Sequence, residues 1–426
     1  MKKFYISLFI LGILYISGCK EERISEHSHY DLDLSFDPVE QFLNVEGQMN
    51  IPVMNDTTHQ IEFYLHRQLD IIDLRLNGKR NFDLHKDPSE IRYMPEATRY
   101  VLITPGTIKK EVALSFQYSG VISEWPEWSA SVIGEEWTEM SCYFPWYPSH
   151  KQFRPFTYEV DIRTVKDYRY FVMGQKKESK DMISFISPFP TNDIVVCASK
   201  ELKAVNRKLD DFTFQLAYTT LSDTLIDTLS ADVDDILTTF NQWFPRNESS
   251  ICLVESMREK GGAYARTGGM YLSGFNKTSY FESRKGYMRY LSHEISHLWW
   301  YRASSNSWED WLNEGFAEYS ALMIIRDKYG QDYFLDWIEK KKQEMEDTGP
   351  IWECDRNGRD AYAILYSKAP VLLHQLEQKT GKNEFKELMR LMLEKEVSDT
   401  EQFLHLLGEQ QGRDKREWFK ALLMEA

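Results

Sequence analysis

The spacing of apolar residues in this chain of 426 residues changes its period near residue 222. Before that point, apolar and polar residues alternate in many short stretches, which is typical of half-buried β-strands. Strands and helices do not alternate there, which argues against a doubly wound parallel sheet. Beyond it, apolar residues recur at helical spacing from Leu225 to Trp243, and most of the later chain is also helical in pattern. The sequence therefore predicts a multidomain α+β fold, with an all-β domain at residues 30–221 and a mainly helical domain at residues 222–426.

The start of the chain has the composition of a targeting signal. Two lysines precede an apolar run from Phe4 to Ile16 that is too short to span a bilayer. The run ends in Ile16-Ser17-Gly18-Cys19, which resembles a bacterial lipobox, where the Cys is lipidated after cleavage. We expect a lipoprotein signal peptide at residues 1–18, a lipid anchor on Cys19 and attachment to the outer membrane of the bacterial cell envelope. Residues 19–29 would form a tether, in which Lys20-Glu21-Glu22 resembles a short acidic surface-display signal or is simply polar and solvated. An ordinary secretory signal is the alternative to the anchor.

Charge and cysteine content exclude two classes of partner or site. The chain has 51 Lys and Arg against 66 Asp and Glu, a formal net charge of −15. This excess argues against nucleic acid as a partner, because phosphate binding needs a positive surface. The cysteines beyond the signal include no CxxC pair, which argues against a cysteine-based metal site. These four cysteines are Cys142, Cys197, Cys252 and Cys354. They could form disulfides, with three possible pairings, or remain buried free thiols.

One short segment carries the residues for a chemical function. Leu291-Ser292-His293-Glu294-Ile295-Ser296-His297 contains an HExxH motif. On a helix the two histidines point about 40° apart, so both imidazoles can bind one metal ion. Glu294 can then act as a general base on a water molecule that the metal holds. The apolar residues around the histidines predict a helix packed in a core rather than a solvated helix that happens to carry two histidines.

A third metal ligand is expected shortly after this motif. A catalytic zinc takes three protein ligands and keeps one position for water, whereas a structural zinc uses four. The segment Trp311–Tyr319 predicts a second helix, in which Glu314 has apolar neighbours. A carboxylate in that setting is costly unless it meets a cation. We therefore predict one Zn²⁺ bound by His293, His297 and Glu314. Glu318, one helical turn later, could orient a ligand histidine or lie on an exposed helix face.

HEISHLWW followed by WLNEGFAEY resembles the aminopeptidase N and leukotriene hydrolase family of zinc gluzincin metallopeptidases. The resemblance covers about residues 30–426 and is strongest near the histidines. It implies the same three ligands, Glu294 as general base, and a β saddle or sandwich domain followed by a thermolysin-like peptidase domain. The family usually has a slightly longer spacing before the third ligand, and we expect the deletion in the loop Ala303–Ser307. Because the chain ends where the peptidase domain should end, we expect a short form without the large helical C-terminal domain of many members.

The resemblance also implies a residue that stabilises the transition state. The family has a tyrosine in a Tyr-x-Lys-Gly motif on a later helix, and Tyr366-Ser367-Lys368-Ala369 matches it with Ala in place of Gly. Tyr366 would donate a hydrogen bond to the oxyanion of the tetrahedral intermediate.

One stretch departs from the family pattern where the substrate should bind. Family aminopeptidases have a Gly-Ala-Met-Glu-Asn strand whose Glu binds the substrate's α-amine. Here Gly261, Gly262, Ala263 and Tyr264 are the predicted substrate-binding residues, because the glycines allow a peptide backbone to approach and pair as a strand. No carboxylate occurs in this stretch. A substitute carboxylate could come from the first domain, and the candidates are Glu135, Glu136 and Glu139. These residues could equally be solvated on the surface.

Together these features predict a zinc-dependent metallopeptidase that hydrolyses peptide bonds, with aminopeptidase-like activity on short peptides. The missing amine-binding Glu leaves two alternatives open. One is a binding module of the same fold without peptidase activity. The other is an endo-acting peptidase or another zinc hydrolase.

Overall fold

The computed structural model describes residues 27–425 except 53–58, 92–93, 109–110, 127–128, 130, 151–152, 154, 188, 209–211, 248–250, 258–263, 267, 274–276, 306 and 357. The predicted lipidation site Cys19 and the predicted substrate-binding residues Gly261, Gly262 and Ala263 lie outside this part of the chain. Within it, no helix combines the length and the apolar content that crossing a membrane requires.

The first part of the chain is built from β-sheets. Its strands are β1 Ser28–Asp37, β2 Phe42–Ile51, β3 Gln60–His66, β4 Asp70–Leu76, β5 Asp83–Pro88, β6 Ala97–Ile103, β7 Val112–Val121, β8 Thr138–Met140, β9 Phe156–Arg163, β10 Arg169–Phe171, β11 Gln175–Glu178, β12 Met182–Ile186 and β13 Val196–Ser199. Among the described residues, one sheet has the order β11-β12-β9-β1-β2-β7-β4, and two three-stranded sheets have the orders β3-β6-β5 and β10-β13-β8.

The alternation in the sequence follows the two faces of these strands. In β1, Tyr30, Leu32 and Leu34 are buried, whereas Asp31 and Asp33 between them are exposed. β1 pairs with β2 in antiparallel and with β9 in parallel orientation, so its apolar face continues across the sheet. These side chains form the core of the first part of the chain.

The second part begins with a smaller mixed sheet. Its elements are β14 Lys203–Lys208, β15 Thr213–Tyr218, α1 Asp223–Trp243, β16 Ile251–Glu255, β17 Tyr264–Arg266 and β18 Gly269–Leu272. Among the described strands the order is β14-β15-β16-β18-β17, which places β17 at the edge of this sheet. The predicted domain boundary at residue 222 lies between β15 and α1, so this sheet takes two strands from its N-terminal side. The side chain of Ser222 caps α1, as expected for a Ser at a helix start.

The remainder is mainly helical, which confirms the predicted fold class. The helices are α2 Lys277–Glu282, α3 Arg284–Ser296, α4 Trp311–Tyr329, α5 Gln331–Glu344, α6 Ala361–Ala363, α7 Ala369–Thr380, α8 Lys382–Glu394, α9 Thr400–Gln411 and α10 Arg413–Met424. A 3₁₀ turn, Trp308–Asp310, precedes α4, and a π-helical turn, Ile364–Lys368, joins α6 to α7. Most residues of α4 are buried, so α4 is the central helix of this part.

Gly315 brings α4 close to the π-helical turn. A Cβ atom at this position would lie only 2.7 Å from the Cβ of Ala369, which is closer than two such atoms can approach. Glycine therefore permits the contact, which carries the neighbouring Glu314 towards the segment that contains Tyr366.

The four cysteines in the described part of the chain form no disulfide bonds. Cys142, Cys197 and Cys252 are buried, and Cys354 is half-buried. Burial raises the pKa of the Cys197 thiol well above its ordinary value and disfavours the reactive thiolate. Of the alternatives that the sequence leaves open, the structure has thiols rather than disulfides at these four positions.

Candidate metal centre and active site

Two packed helices bring the three predicted ligands together. His293 and His297 lie near the end of α3, and Glu314 lies in the first turn of α4. One ligand atom from each residue lies within 4.8 Å of the other two. The Nε2 atoms of His293 and His297 lie 3.3 Å and 3.5 Å from Oε2 of Glu314. The spacing of four residues thus places both rings towards the same carboxylate, as the HExxH pattern predicts.

Hydrogen bonds to the far side of each ring fix its orientation. Nδ1 of His293 lies 2.9 Å from Oε2 of Glu318, and Nδ1 of His297 lies 2.9 Å from the backbone oxygen of Trp300. A backbone carbonyl and a carboxylate accept hydrogen bonds, so each Nδ1 carries the hydrogen in the neutral ring. Each Nε2 is then left with a lone pair that points towards Glu314, which is the arrangement that a metal ligand needs.

The residues of this cluster fit a zinc ion. Among the described residues, the buried Oε2 of Glu314 has no hydrogen-bond partner, although two imidazole nitrogens face it. Burial alone would lower the pKa of His293, but Glu314 and Glu318 outweigh it and raise the pKa to about 10. Burial would raise the pKa of Glu314, but the two histidines hold it well below its usual range. The pocket therefore favours positive charge beside Glu314, and two imidazoles with one carboxylate are a usual donor set for catalytic zinc.

Glu318 is a buried carboxylate that binds two cations as well as His293. It is 2% exposed. Its Oε1 lies 2.5 Å from Nη1 of Arg289 and 2.7 Å from Nζ of Lys341. Burial would raise the pKa of its carboxyl, but Arg289 and Lys341 lower it well below the ordinary value. Of the two alternatives that the sequence left open for Glu318, the structure has the buried carboxylate that orients a histidine.

The predicted base and the predicted oxyanion donor lie beside the ligands. Glu294 is half-buried on α3 and directly follows the ligand His293 in the chain. The ring of Tyr366 stacks on that of His293 at 5.6 Å between centroids and 30° between planes. Burial, followed by Glu314, raises the pKa of Tyr366 well above its ordinary value. The phenol therefore keeps its proton and can act as a hydrogen-bond donor.

The predicted substrate-binding strand is anchored to the first part of the chain. Only Tyr264 of its four predicted residues is described, and its hydroxyl donates to Oε1 of Glu139 at 2.6 Å. Glu139 is 1% exposed and also accepts hydrogen bonds from Trp137 and Ser256. Its carboxylate oxygens therefore already have protein donors. The other two acidic candidates, at positions 135 and 136, are exposed.

A second anchor on the same strand is a buried ion pair. Nε of Arg266 donates to Oδ2 of Asp193 at 2.6 Å. Its guanidinium also lies over the rings of Tyr143 and Tyr264, at 4.7 Å and 4.6 Å from their centroids. Arg266 and Tyr264 are two residues apart in β17, so both side chains project from the same face of the strand. The first domain thus fixes the position of this edge strand.

Two residues near the site carry no recognisable sequence signal. Lys341 on α5 contacts Glu318, and Nε of Arg356 donates to Oδ2 of Asp310 at 2.7 Å. Asp310 lies one helical turn before Glu314, so Arg356 is close to the ligand cluster. Neither residue belongs to a motif, and both reach the site through contacts between distant segments.

Comparisons with known proteins agree with this arrangement. Residues 269–421 match the Peptidase family M1 domain. No curated protein matches the chain. Among solved structures, the M1 zinc metallopeptidase from Deinococcus radiodurans is similar, with a TM-score of 0.67 and 15% identity over 94% of each chain. A variant of a metallopeptidase from the same organism, bound to a Tyr-Ser-Ala substrate, gives a TM-score of 0.67 and 16% identity over 93% of this chain and 94% of that one.

Yeast LTA4 hydrolase is also similar, with a TM-score of 0.68 and 17% identity. The match covers 92% of this chain and 66% of the yeast protein. At these identities the structural matches establish the fold, a β-rich domain followed by a helical domain. Together with the domain match they support the M1 family and a metallopeptidase.

Proposed function

We propose that this chain is a zinc-dependent peptidase that hydrolyses peptide bonds at the centre formed by His293, His297 and Glu314. The observation that carries the proposal is the convergence of these three ligand atoms within 4.8 Å of one another. The neighbouring Glu294 and Tyr366 supply the other two groups that hydrolysis needs. The match of residues 269–421 to the Peptidase family M1 domain supports the same reaction class.

The chain's own residues supply proton transfer and charge stabilisation. When bound, zinc supplies Lewis acidity, which polarises the scissile carbonyl and makes water more acidic. Glu294 takes a proton from the attacking water and delivers it to the leaving amine. Tyr366 donates its phenolic hydrogen to the oxyanion that develops on the carbonyl oxygen. Glu318 accepts a hydrogen bond from Nδ1 of His293 and so fixes the orientation of this ligand ring during the reaction.

The substrate would lie along the edge strand β17. An edge strand has unpaired backbone groups, and an extended peptide can add to it as a further strand. A peptide ligand is also named for a solved structure of the same fold, which was bound to Tyr-Ser-Ala. We therefore propose peptides as substrates, with short peptides and aminopeptidase-like cleavage as the first case to test.

A second mode of action, cleavage without a free α-amine, is favoured by one observation. The described residues of β17 contain no carboxylate, and the hydroxyl of Tyr264 is already bonded to Glu139. An incoming ammonium group would have to compete with the three donors that the buried Glu139 already has. This mode would give an endo-acting peptidase or one that accepts blocked peptides.

Hydrolysis of one peptide library with free and with acetylated N-termini tests both proposals. We expect hydrolysis that a chelator abolishes and added zinc restores. A strong requirement for the free amine would establish the aminopeptidase mode, and equal cleavage of acetylated peptides would establish the other. Binding of peptides without any hydrolysis by the zinc-loaded protein would contradict the peptidase proposal and favour a binding module.

We also propose that Cys19 attaches the chain to the bacterial cell envelope through a lipid. The proposal rests on the Ile16-Ser17-Gly18-Cys19 sequence at the end of the apolar run. Expressed in a bacterium, the chain should incorporate labelled fatty acid and sediment with membranes, and the Cys19→Ala variant should do neither. Equal labelling of the variant would exclude this anchor.

A further inference from the structure

The segment that carries Tyr366 has an unusual backbone. Residues Ile364–Lys368 form a π-helical turn, in which the N–H of Ala369 bonds to the carbonyl oxygen of Ile364 five residues earlier. Such turns are rare, occur mostly as single turns within α-helices, and are frequent at functional sites. An α-helix over the same residues would place Tyr366 differently relative to α4, so this turn sets the position of the Tyr366 side chain.

Hydrogen bonds to other segments hold this turn at three successive residues. Nζ of Lys341 donates to the backbone oxygen of Tyr366 at 2.6 Å. The hydroxyl of Ser367 donates to Oε2 of Glu344 at 2.7 Å. Nζ of Lys368 donates to two backbone oxygens, those of Gly349 at 3.0 Å and Glu425 at 2.7 Å. Of these contacts, the one from Lys341 is made to the residue that faces the ligand cluster.

Lys341 also contacts the other side of the site. The same ammonium group lies 2.7 Å from Oε1 of Glu318, whose Oε2 is bonded to Nδ1 of His293 at 2.9 Å. A continuous series of contacts therefore runs from the backbone of Tyr366 through Lys341 and Glu318 to His293. The side chain of Lys341 is 5% exposed. A buried ammonium is costly unless its hydrogens find acceptors, and here a carboxylate and a carbonyl supply them.

We propose that Lys341 is a positioning residue that sets the place of the Tyr366 phenol relative to His293 by bridging Glu318 and the π-helical turn. This inference rests on the proposed function, because it concerns the donor to the oxyanion. An aliphatic side chain could fill the same volume but could not join the two sides. Without the bridge, the turn keeps its contacts at Ser367 and Lys368 and loses the one at Tyr366. We expect the phenol to move while the metal ligands stay in place.

Arg289 provides a matched control. It contacts the same Oε1 of Glu318, at 2.5 Å, but belongs to α3 and stacks on Trp337 rather than on the π-helical turn. Lys341→Met and Arg289→Met therefore each remove one cation from the same carboxylate oxygen. Only Lys341→Met also removes a contact to Tyr366. In Lys341→Met, Arg289 still neutralises Glu318, so we expect the variant to bind zinc.

A double-mutant cycle with Tyr366→Phe distinguishes positioning from general stabilisation. Lys341→Met should lower kcat by about tenfold or more with little change in KM, because a misplaced catalytic group loses transition-state binding. In the Tyr366→Phe background, which has no phenol to position, the same change should lower kcat by less than about threefold. Arg289→Met should have the same effect in both backgrounds. An equal loss from Lys341→Met in both backgrounds, or no loss of kcat in the first, would overturn the proposal.

A structural readout tests the inference without catalysis. Crystal structures of the metal-free wild type and metal-free Lys341→Met should differ in the separation of the Tyr366 and His293 rings, which is 5.6 Å here. We expect this distance to increase by about 1 Å or more in the variant, a displacement sufficient to impair catalysis. An unchanged distance would contradict the inference even if the protein proved not to be a peptidase. If Lys341→Met does not fold, Lys341→Gln should show the same non-additivity with Tyr366→Phe, because its amide is one bond shorter than the Lys side chain and cannot join both acceptors at these distances.

Discussion

Replacing Glu318 by Gln tests whether a buried carboxylate orients the metal ligand His293. Glu318 is 2% exposed, accepts a hydrogen bond from Nδ1 of His293 at 2.9 Å, and lies against Arg289 and Lys341. Gln has almost the same size but no charge. Its amide nitrogen would also bring a donor into a site where every neighbour is already a donor.

The structure allows the size of two separate effects to be worked out. Loss of a carboxylate that orients a metal-binding histidine weakens metal affinity by about 10–100-fold, which corresponds to roughly 1.4–2.7 kcal/mol. The second effect concerns the fold, because Lys341 is 5% exposed and would lose its counter-charge. Removal of one partner from a buried ion pair costs about 3–5 kcal/mol, so the free energy of unfolding should fall by that amount.

The pH dependence of this stabilisation has a definite sign. The neighbouring cations hold the pKa of Glu318 well below its ordinary value. The contribution of the Glu318 ion pairs to the free energy of unfolding is therefore fully present above the ordinary carboxyl pKa of about 4.3, and it is lost only as the pH falls further. Wild type and variant should differ in stability at neutral pH and converge in strong acid.

Zinc competition against a fluorescent chelator and urea denaturation of the metal-free proteins measure the two effects. Glu339→Gln is the control, because Glu339 lies on α5, is 62% exposed and pairs with the exposed Lys342. That variant should match the wild type in both assays. A zinc affinity of Glu318→Gln within a factor of about two of the wild type would refute the argument that Glu318 orients the ligand.

Two further predictions concern packing and titration. Gly315→Ala should lower the free energy of unfolding by about 1–3 kcal/mol, because its Cβ would lie 2.7 Å from that of Ala369. Gly286→Ala is the control, because no atom lies within 4 Å of a Cβ at that position, so urea denaturation should show no loss of stability. An equal loss of stability in both variants would contradict the packing argument. His66 is buried, and burial lowers its pKa to about 4 although the backbone of Glu124 accepts its hydrogen bond. The contribution of neutral His66 to the free energy of unfolding is therefore fully present above the pKa of His in the unfolded chain, about 6.5. As the pH drops towards 4, the free energy of unfolding should fall by up to about 3 kcal/mol. His66→Gln should flatten this part of the stability–pH curve, and an unchanged slope would assign the effect to another group.

The local elements of the site could be predicted because their ligands are close together in sequence. His293 and His297 need only the geometry of one helix, and Glu314 could be predicted from a carboxylate among apolar residues. Glu318 was left between two alternatives, since helical spacing alone does not say which face is buried. Its burial depends on the cations of Arg289 and Lys341, which come from two other helices.

The partners of strands and side chains from distant segments could not be predicted from the sequence. Alternation predicts that residues 213–218 form a strand but does not identify its partner. In the structure this strand, β15, pairs in parallel with β16 across the helix α1, so it joins the sheet of the second part. Lys341 shows the same limit for side chains, because its role depends on two segments, at residues 318 and 366, that meet only in the folded protein. The anchoring of β17 by Asp193 and Glu139 is of the same kind.

The zinc content and peptide turnover of the wild type and of Glu294→Gln, measured side by side, test the central claim most directly. In the sequence Glu294 lies between the two histidines, but it is not one of the three converging ligands. Both proteins should therefore contain one tightly bound zinc, which His293→Ala should lose. Turnover should fall by at least about a hundredfold in Glu294→Gln, because the general base is gone. Equal turnover in the two proteins, or hydrolysis by a wild type that binds no zinc, would contradict the account.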